Sequence, residues 1–310
     1  MLRDYVSRCQ RAGLATPALL MALAMGLGAC SSYASRVDNR AAELGFERQI
    51  VASDPFHLVT YRNSVQRDQS PLHVYIEGDG RAWLDRTTVA RDPTPARPLM
   101  LELMAFDSAP AVFLGRPCYF GTYRDAPCDF RLWTTARYSE PVVSSMLAAL
   151  ESTAQGEREI VLVGYSGGGT LATLLASRSP RVTTVVTIAA NLDLDGWAQH
   201  HGYSPLTESL NPATDTNVPA SVKQIYLYGG NDDQVPVSTI GNFERRHPGA
   251  TFCVVPQFDH SCCWRDIWGT VLERLSDGHL RRVATKFDGS FCSDLVAAAS
   301  HNSESVTSHE

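Results

Sequence analysis

Seven short runs of mostly apolar residues recur along this chain: "FHLVTY" from 56, "LHVYI" from 72, "AVFL" from 111, "EIVLV" from 159, "VTTVVTI" from 182, "KQIYLY" from 223 and "TFCVV" from 251. Their length and β-branched content mark them as strands. Helical periodicity fills several of the gaps. In "SEPVVSSMLAALES", Ser139 stands where a helix cap belongs, and Val143, Met146, Leu147 and Leu150 fall on one face. "WRDIWGTVLERL" aligns Trp264, Ile267, Trp268, Val271 and Leu275 in the same way. Strands that are apolar on both faces and alternate with amphipathic helices imply an α/β fold, a mostly parallel central sheet with helices on both faces. At 310 residues there is room for one large domain of this kind. No linker, internal repeat or low-complexity block divides it.

The first residues read as a targeting segment. Arg3, Arg8 and Arg11 precede the apolar run "LATPALLMALAMGLGA", which is short for a membrane span and is broken by Pro17 and glycines. It ends in "LGAC", Leu27 to Cys30, which resembles a bacterial lipobox. That resemblance implies cleavage before Cys30 and a diacylglyceryl group on its sulfur. The partner so implied is a lipid bilayer, and stable anchoring takes two or more acyl chains. Ser31 after the cysteine implies outer-membrane sorting, with the protein facing the periplasm. A plain secretory cut after Ala34 is the alternative. The expected organisation is a signal peptide over 1–29, a polar tether over 30–44, the α/β domain over 45–292 and a disordered tail over 293–310.

Export bears on the cysteines. Six remain once Cys9 and Cys30 are set aside: Cys118, Cys128, Cys253, Cys262, Cys263 and Cys292. An even number in an exported chain reads as disulfides. Cys118 and Cys128 bracket the loop "CYFGTYRDAPC" and form the first candidate pair. The other four allow three pairings, and adjacent Cys262 and Cys263 are not expected to bond to each other. No CxxC spacing suggests zinc, so no metal is expected. The formal charge of −6, with no long basic run, argues against a nucleic-acid partner. Nothing in the chain speaks to oligomeric state.

The chemistry centres on "EIVLVGYSGGGTLATLLASRSP", residues 159 to 180. A strand runs into a helix whose Leu171, Leu174 and Leu175 share a face, and the helix ends before Pro180. Gly164, Ser166 and Gly168 sit at the junction as G-x-S-x-G, the context of a nucleophile elbow. A phosphate loop is excluded, because Gly169 rather than lysine precedes Thr170 and no G-x-G-x-x-G spacing exists. A nucleophilic serine needs a base, and the base needs an orienting acid. After a later strand comes "GGNDDQVPV", which resembles the acid turn of α/β-hydrolases and puts Asp232 in register. Asp233 stands one residue off, and Asp193 and Asp195 are candidates one strand earlier. "TFCVVPQFDHSCCW" then supplies His260 as the base, in the order serine, acid, histidine.

An oxyanion hole completes the set. Gly167 follows the serine, and "YIEGDGRAW" offers Asp79 or Gly80 as the second backbone donor. Glu77 occupies the place where many relatives carry histidine. The Asp79 carboxylate must turn from the oxyanion, and Arg81 is the expected partner. With "GYSGGG" and "DHSCCW", these stretches resemble the α/β-hydrolase fold over roughly residues 45 to 285, and an incompletely characterised group of bacterial α/β-hydrolase lipoproteins. The resemblance implies a serine esterase of the cell envelope. It would act through Ser166, His260 and Asp232 on a small-molecule ester, or else an amide, with no cofactor. Trp83, Trp133, Tyr138, Trp197, Arg81 and Arg137 are expected around the site. A non-catalytic envelope-binding protein on the same fold is the reading from another class.

Overall fold

All seven expected strands form, and an eighth joins them. The strands are β1 (Glu47–Ser53), β2 (Phe56–Arg62), β3 (Leu72–Ile76), β4 (Ala111–Leu114), β5 (Ile160–Tyr165), β6 (Val182–Ile188), β7 (Lys223–Gly229) and β8 (Thr251–Val255). They make one sheet in the order β1-β2-β4-β3-β5-β6-β7-β8. The β1–β2 and β2–β4 pairs are antiparallel, and every pair from β4 to β8 is parallel. The computed structural model describes residues 32–66, 70–155, 159–276 and 290–307, with the backbone alone from 301. The proposed signal peptide and Cys30 lie outside the described residues.

Composition decides position in the sheet. β3, β4 and β5 are buried almost throughout, as strands covered on both faces must be. β1, "ERQIVAS", is exposed over most of its length because it is an edge strand with no partner beyond it. That exposure leaves it without the apolar run by which the others are recognised.

The helices that frame the centre are α1 (Tyr33–Glu43), α2 (Leu99–Met104), α3 (Glu140–Ala154), α4 (Gly167–Ala176), α5 (Leu194–His201), α6 (Pro212–Asp215), α7 (Gly241–Arg246), α8 (Trp264–Ser276) and α9 (Ser290–Thr307). α4 is buried on every side, not on one face. Its two hydroxyls are satisfied internally, Thr170 by the carbonyl of Asn191 and Thr173 by that of Gly169. Ser139 does take the cap position of α3, but its hydroxyl makes no cap bond. Pro141, within the first turn, removes one of the N–H groups such a bond would use.

Three expectations are corrected. The tether over 30–44 is helical from Tyr33, with Ala34, Val37 and Ala41 buried. Small residues spaced three and four apart give a polar-looking sequence a packing face. Arg40 clasps Glu102 of α2 through two hydrogen bonds, at 2.6 and 2.8 Å. The tail after 293 continues as α9, which buries Phe291, Leu295 and Ala299 and packs on α8 and β8. The third concerns the cysteines. Cys118 and Cys128 pair as expected and Cys253 pairs with Cys292, but Cys262 and Cys263 also bond to each other across a cis peptide. A cis peptide brings neighbouring α-carbons closer than a trans one, which the expectation had not allowed for.

Candidate active site

The carboxyl ends of β3, β5, β7 and β8 converge, and each of the four candidate segments leaves one of them. In open α/β sheets this is the end where ligands bind. Ser166 follows β5 and begins α4 at φ +51°, ψ −124°, a conformation that costs a side chain of its kind free energy. Its N–H donates to the carbonyl of Ile188 on β6 at 2.8 Å, and its carbonyl receives Gly169 N–H at 2.9 Å. Close approach explains the flanking glycines. A β-carbon on Gly164 would strike the carbonyl oxygen of Gly168, and one on Gly168 would strike that of Ile76.

His260 lies between β8 and α8. Its Nε2 is 3.1 Å from Ser166 Oγ and its Nδ1 is 2.9 Å from Asp232 Oδ2. Asp232 is fully buried, and its Oδ1 receives the N–H groups of Gln234 and Val235 at 2.9 and 2.8 Å. A carboxylate at Nδ1 keeps the proton there and leaves Nε2 bare toward the hydroxyl. Trp264 Nε1 donates to the His260 carbonyl at 3.1 Å, and the Tyr165 ring lies 5.2 Å from the imidazole. Asp233 is exposed. Asp193 caps α5 by accepting from Gly196 N–H and Asn242, and Asp195 accepts from Asn211. None of these three touches His260.

The loop after β3 is held by contacts that sequence reasoning did not foresee. Gly78 abuts the serine, a β-carbon there falling 3.2 Å from Ser166 Cβ. Glu77 is buried, and its two oxygens receive Gly78 N–H and Met100 N–H, each at 2.9 Å. It thereby ties the loop to the first turn of α2. Burial pushes its carboxyl up to about 7, against the two backbone donors and Arg116, which pull it down.

Asp79 does not turn to Arg81. Its carboxylate receives Arg116 Nη1 at 2.6 Å, Arg137 Nη1 at 2.9 Å and the Tyr138 hydroxyl at 2.6 Å. Burial pushes this carboxyl up, but Arg137, Arg116 and Tyr138 outweigh it and hold it well below the usual range. Arg81 instead stacks on the Tyr33 ring and donates to its hydroxyl. Gly80 is turned toward Pro93 and Pro95. Of the remaining expected rim residues, Trp83 is exposed, Trp133 is buried and donates to the Ala90 carbonyl, and Trp197 donates to the Gln234 carbonyl. A cavity of about 1440 Å³ opens at the other end of the strands, by His73, Glu159, Thr183 and Lys223, far from these groups.

This strand order, with a serine on the turn between β5 and α4, is the α/β-hydrolase fold. No family model and no curated protein sequence matches the chain. Solved structures do. A membrane phospholipase A described as a bacterial virulence factor superposes with a TM-score of 0.54 at 14% identity, over 86% of this chain and 97% of that one. The acylaminoacyl peptidase of Pyrococcus horikoshii gives 0.53 at 12% identity, and the esterase Est1E of Butyrivibrio proteoclasticus gives 0.51 at 11%. The match covers 81% of this chain and 44% of the peptidase, and 76% of this chain and 99% of the esterase. At these identities the likeness is one of fold.

Proposed function

We propose that the protein is a serine hydrolase that cleaves a carboxylic ester through an acyl-enzyme. The observation that carries this reading is the unbroken hydrogen-bonded line from Asp232 through His260 to Ser166 Oγ. Ser166 Oγ adds to the substrate carbonyl and gives its proton to His260 Nε2. The oxygen that gains charge is received by the N–H of Gly167 at the start of α4 and by that of Asp79. Gly80 is the other loop candidate for the second donor. Each such donor is worth roughly 3–4 kcal/mol in the transition state. Collapse expels the alcohol, which leaves with the proton from His260. Water, deprotonated by the same imidazole, then releases the acid, so one ester and one water give one acid and one alcohol. Asp232 stabilises the imidazolium at both stages. None of these steps calls on a cofactor.

An organophosphonate probe tests the mechanism. It should attach at Ser166 alone, and His260→Ala should nearly abolish the labelling. Wild-type esterase turnover in folded Ser166→Ala protein would sink the assignment. Folded wild type that neither labels nor turns over any ester would favour an envelope-binding role instead.

A further inference from the structure

Three side chains from distant parts of the sequence meet on one carboxylate beside the serine. Arg116, Arg137 and Tyr138 all donate to Asp79. That carboxylate lies against Gly167, where an added β-carbon would strike both Asp79 Oδ1 and the Tyr138 hydroxyl. The hydrogen-bonded group carries two cations for one anion, and the buried Glu77 carboxyl, held up to about 7, is the further acid that feels Arg116. The group's side chains are 2% exposed at Arg116, 11% at Arg137 and 22% at Asp79. A carboxylate balances one guanidinium, and a second held out of water is costly unless another anion supplies the missing charge.

Each arginine engages two of its three nitrogens, with Arg116 Nε buried and unpaired, so the two differ in exposure rather than in the number of donors used. Arg116 lies 4.9 Å from the Tyr119 ring centre and 5.6 Å from that of Tyr138, and its Nη2 donates to the Arg137 carbonyl at 3.0 Å. Arg137 donates Nε to the Thr134 carbonyl at 2.6 Å and Nη1 to Asp79. Its Nη2 makes no hydrogen bond among the described residues, and it is the less buried cation. The surplus charge is therefore reachable at Arg137.

Topology says which part of a substrate meets it. Asp79 follows β3, Arg116 follows β4, and Arg137 and Tyr138 precede α3. β3 and β4 lie on one side of β5, whereas β7 and β8, which carry Asp232 and His260, lie on the other. The leaving oxygen must face His260 Nε2 to take its proton, which leaves the side of β3 and β4 to the carbonyl oxygen and to the acyl group beyond it. We propose, resting on the serine-hydrolase reading above, that this enzyme prefers esters whose acyl chain ends in a negative charge, a carboxylate in the simplest case, received by Arg137. A planar guanidinium with an unused donor is suited to that partner, and it discriminates against a neutral chain that leaves the donor unpaired.

Three 4-nitrophenyl esters of matched length test this on the purified full chain: hexanoate, hydrogen adipate and 6-aminohexanoate. The adipate ester should have a kcat/KM at least about tenfold above the hexanoate, a margin that added salt narrows. The aminohexanoate should be the slowest. Arg137→Gln should bring the adipate-to-hexanoate ratio to about one, with Arg137→Lys between. Arg81→Gln, at an arginine engaged with Tyr33, should leave the ratio as it is. Because the wild-type ratio and its salt dependence need no variant, a misfolded Arg137→Gln protein does not shelter the idea. Equal Ser166-dependent rates on all three esters, or preference for the amine, overturn this inference and leave the hydrolase standing. Absence of any Ser166-dependent turnover overturns both.

Discussion

Asp232 and Asp233 are neighbours in the chain with opposite surroundings. Asp232 is closed off from water, holds two backbone N–H groups and faces the imidazole, whereas Asp233 points out into solvent. Only the first can fix the tautomer of His260. Asp232→Asn should slow phosphonate labelling of Ser166 by up to about ten-thousandfold, and Asp233→Asn should leave it near wild type. Labelling rates of the two variants side by side decide the register, and a stronger effect at Asp233 would reverse it. At this scale the serine, acid and histidine were legible because backbone constraint writes them as local motifs: a glycine on each side of a strained serine, and a turn that ends in Val235 and Pro236. That Arg116, Arg137 and Tyr138 converge on Asp79 was not legible, although the last two were expected near the site. The three lie 37, 58 and 59 residues away in sequence, and no local spacing announces such contacts.

At the scale of elements, Glu77 joins β3, the loop beside the serine and the first turn of α2. Its carboxyl sits near 7 in the folded protein against 4.5 for the ordinary group. As pH rises through the ordinary value, the unfolded chain loses its proton while the folded protein keeps it. The stabilising share is therefore complete below about 4.5 and lost as pH rises to about 7, and it amounts to about 3 kcal/mol at most. Glu77→Gln removes the titration. Urea unfolding at pH 5 and pH 7.5 should show the stability advantage of wild type over the variant shrinking with pH by up to that amount. An advantage that grows with pH would mean that the charged form is the stabilised one. The same scale shows where reading elements from sequence succeeds. The six interior strands announce themselves because they are buried over most of their length, and β8, at the opposite edge from β1, still carries the apolar run "TFCVV". Edge strand β1 has no such pattern. Among the described residues, helices α1 and α9 bury few side chains each, three small ones in α1, and so read as tether and tail.

The whole molecule combines an apolar N-terminal run, a lipobox-like motif and three cysteine pairs. Disulfides persist in oxidising compartments, and the export we propose from the N-terminal segment would place the three pairs in one. The two candidate processing points differ in what they leave. A cut after Ala34 would remove the first two residues of α1, including the buried Ala34. A cut before Cys30 would leave that helix whole, with Ser31 and Ser32 between the modified cysteine and its start. We propose that Cys30 is the processed and acylated residue, that its acyl chains would anchor the protein to the bilayer, and that Ser31 would sort it to the outer membrane, facing the periplasm. In cells fed labelled palmitate, the wild-type chain should take up label and partition into detergent. Cys30→Ala should take up no label, because the sulfur that would carry the acyl group is gone. Purified Cys30→Ala domain should still react with the phosphonate at Ser166, since no part of the site lies before residue 77. Label that persists in Cys30→Ala, or a mature wild-type chain that begins at Ser35, would refute the anchor while leaving the chemistry at Ser166 untouched.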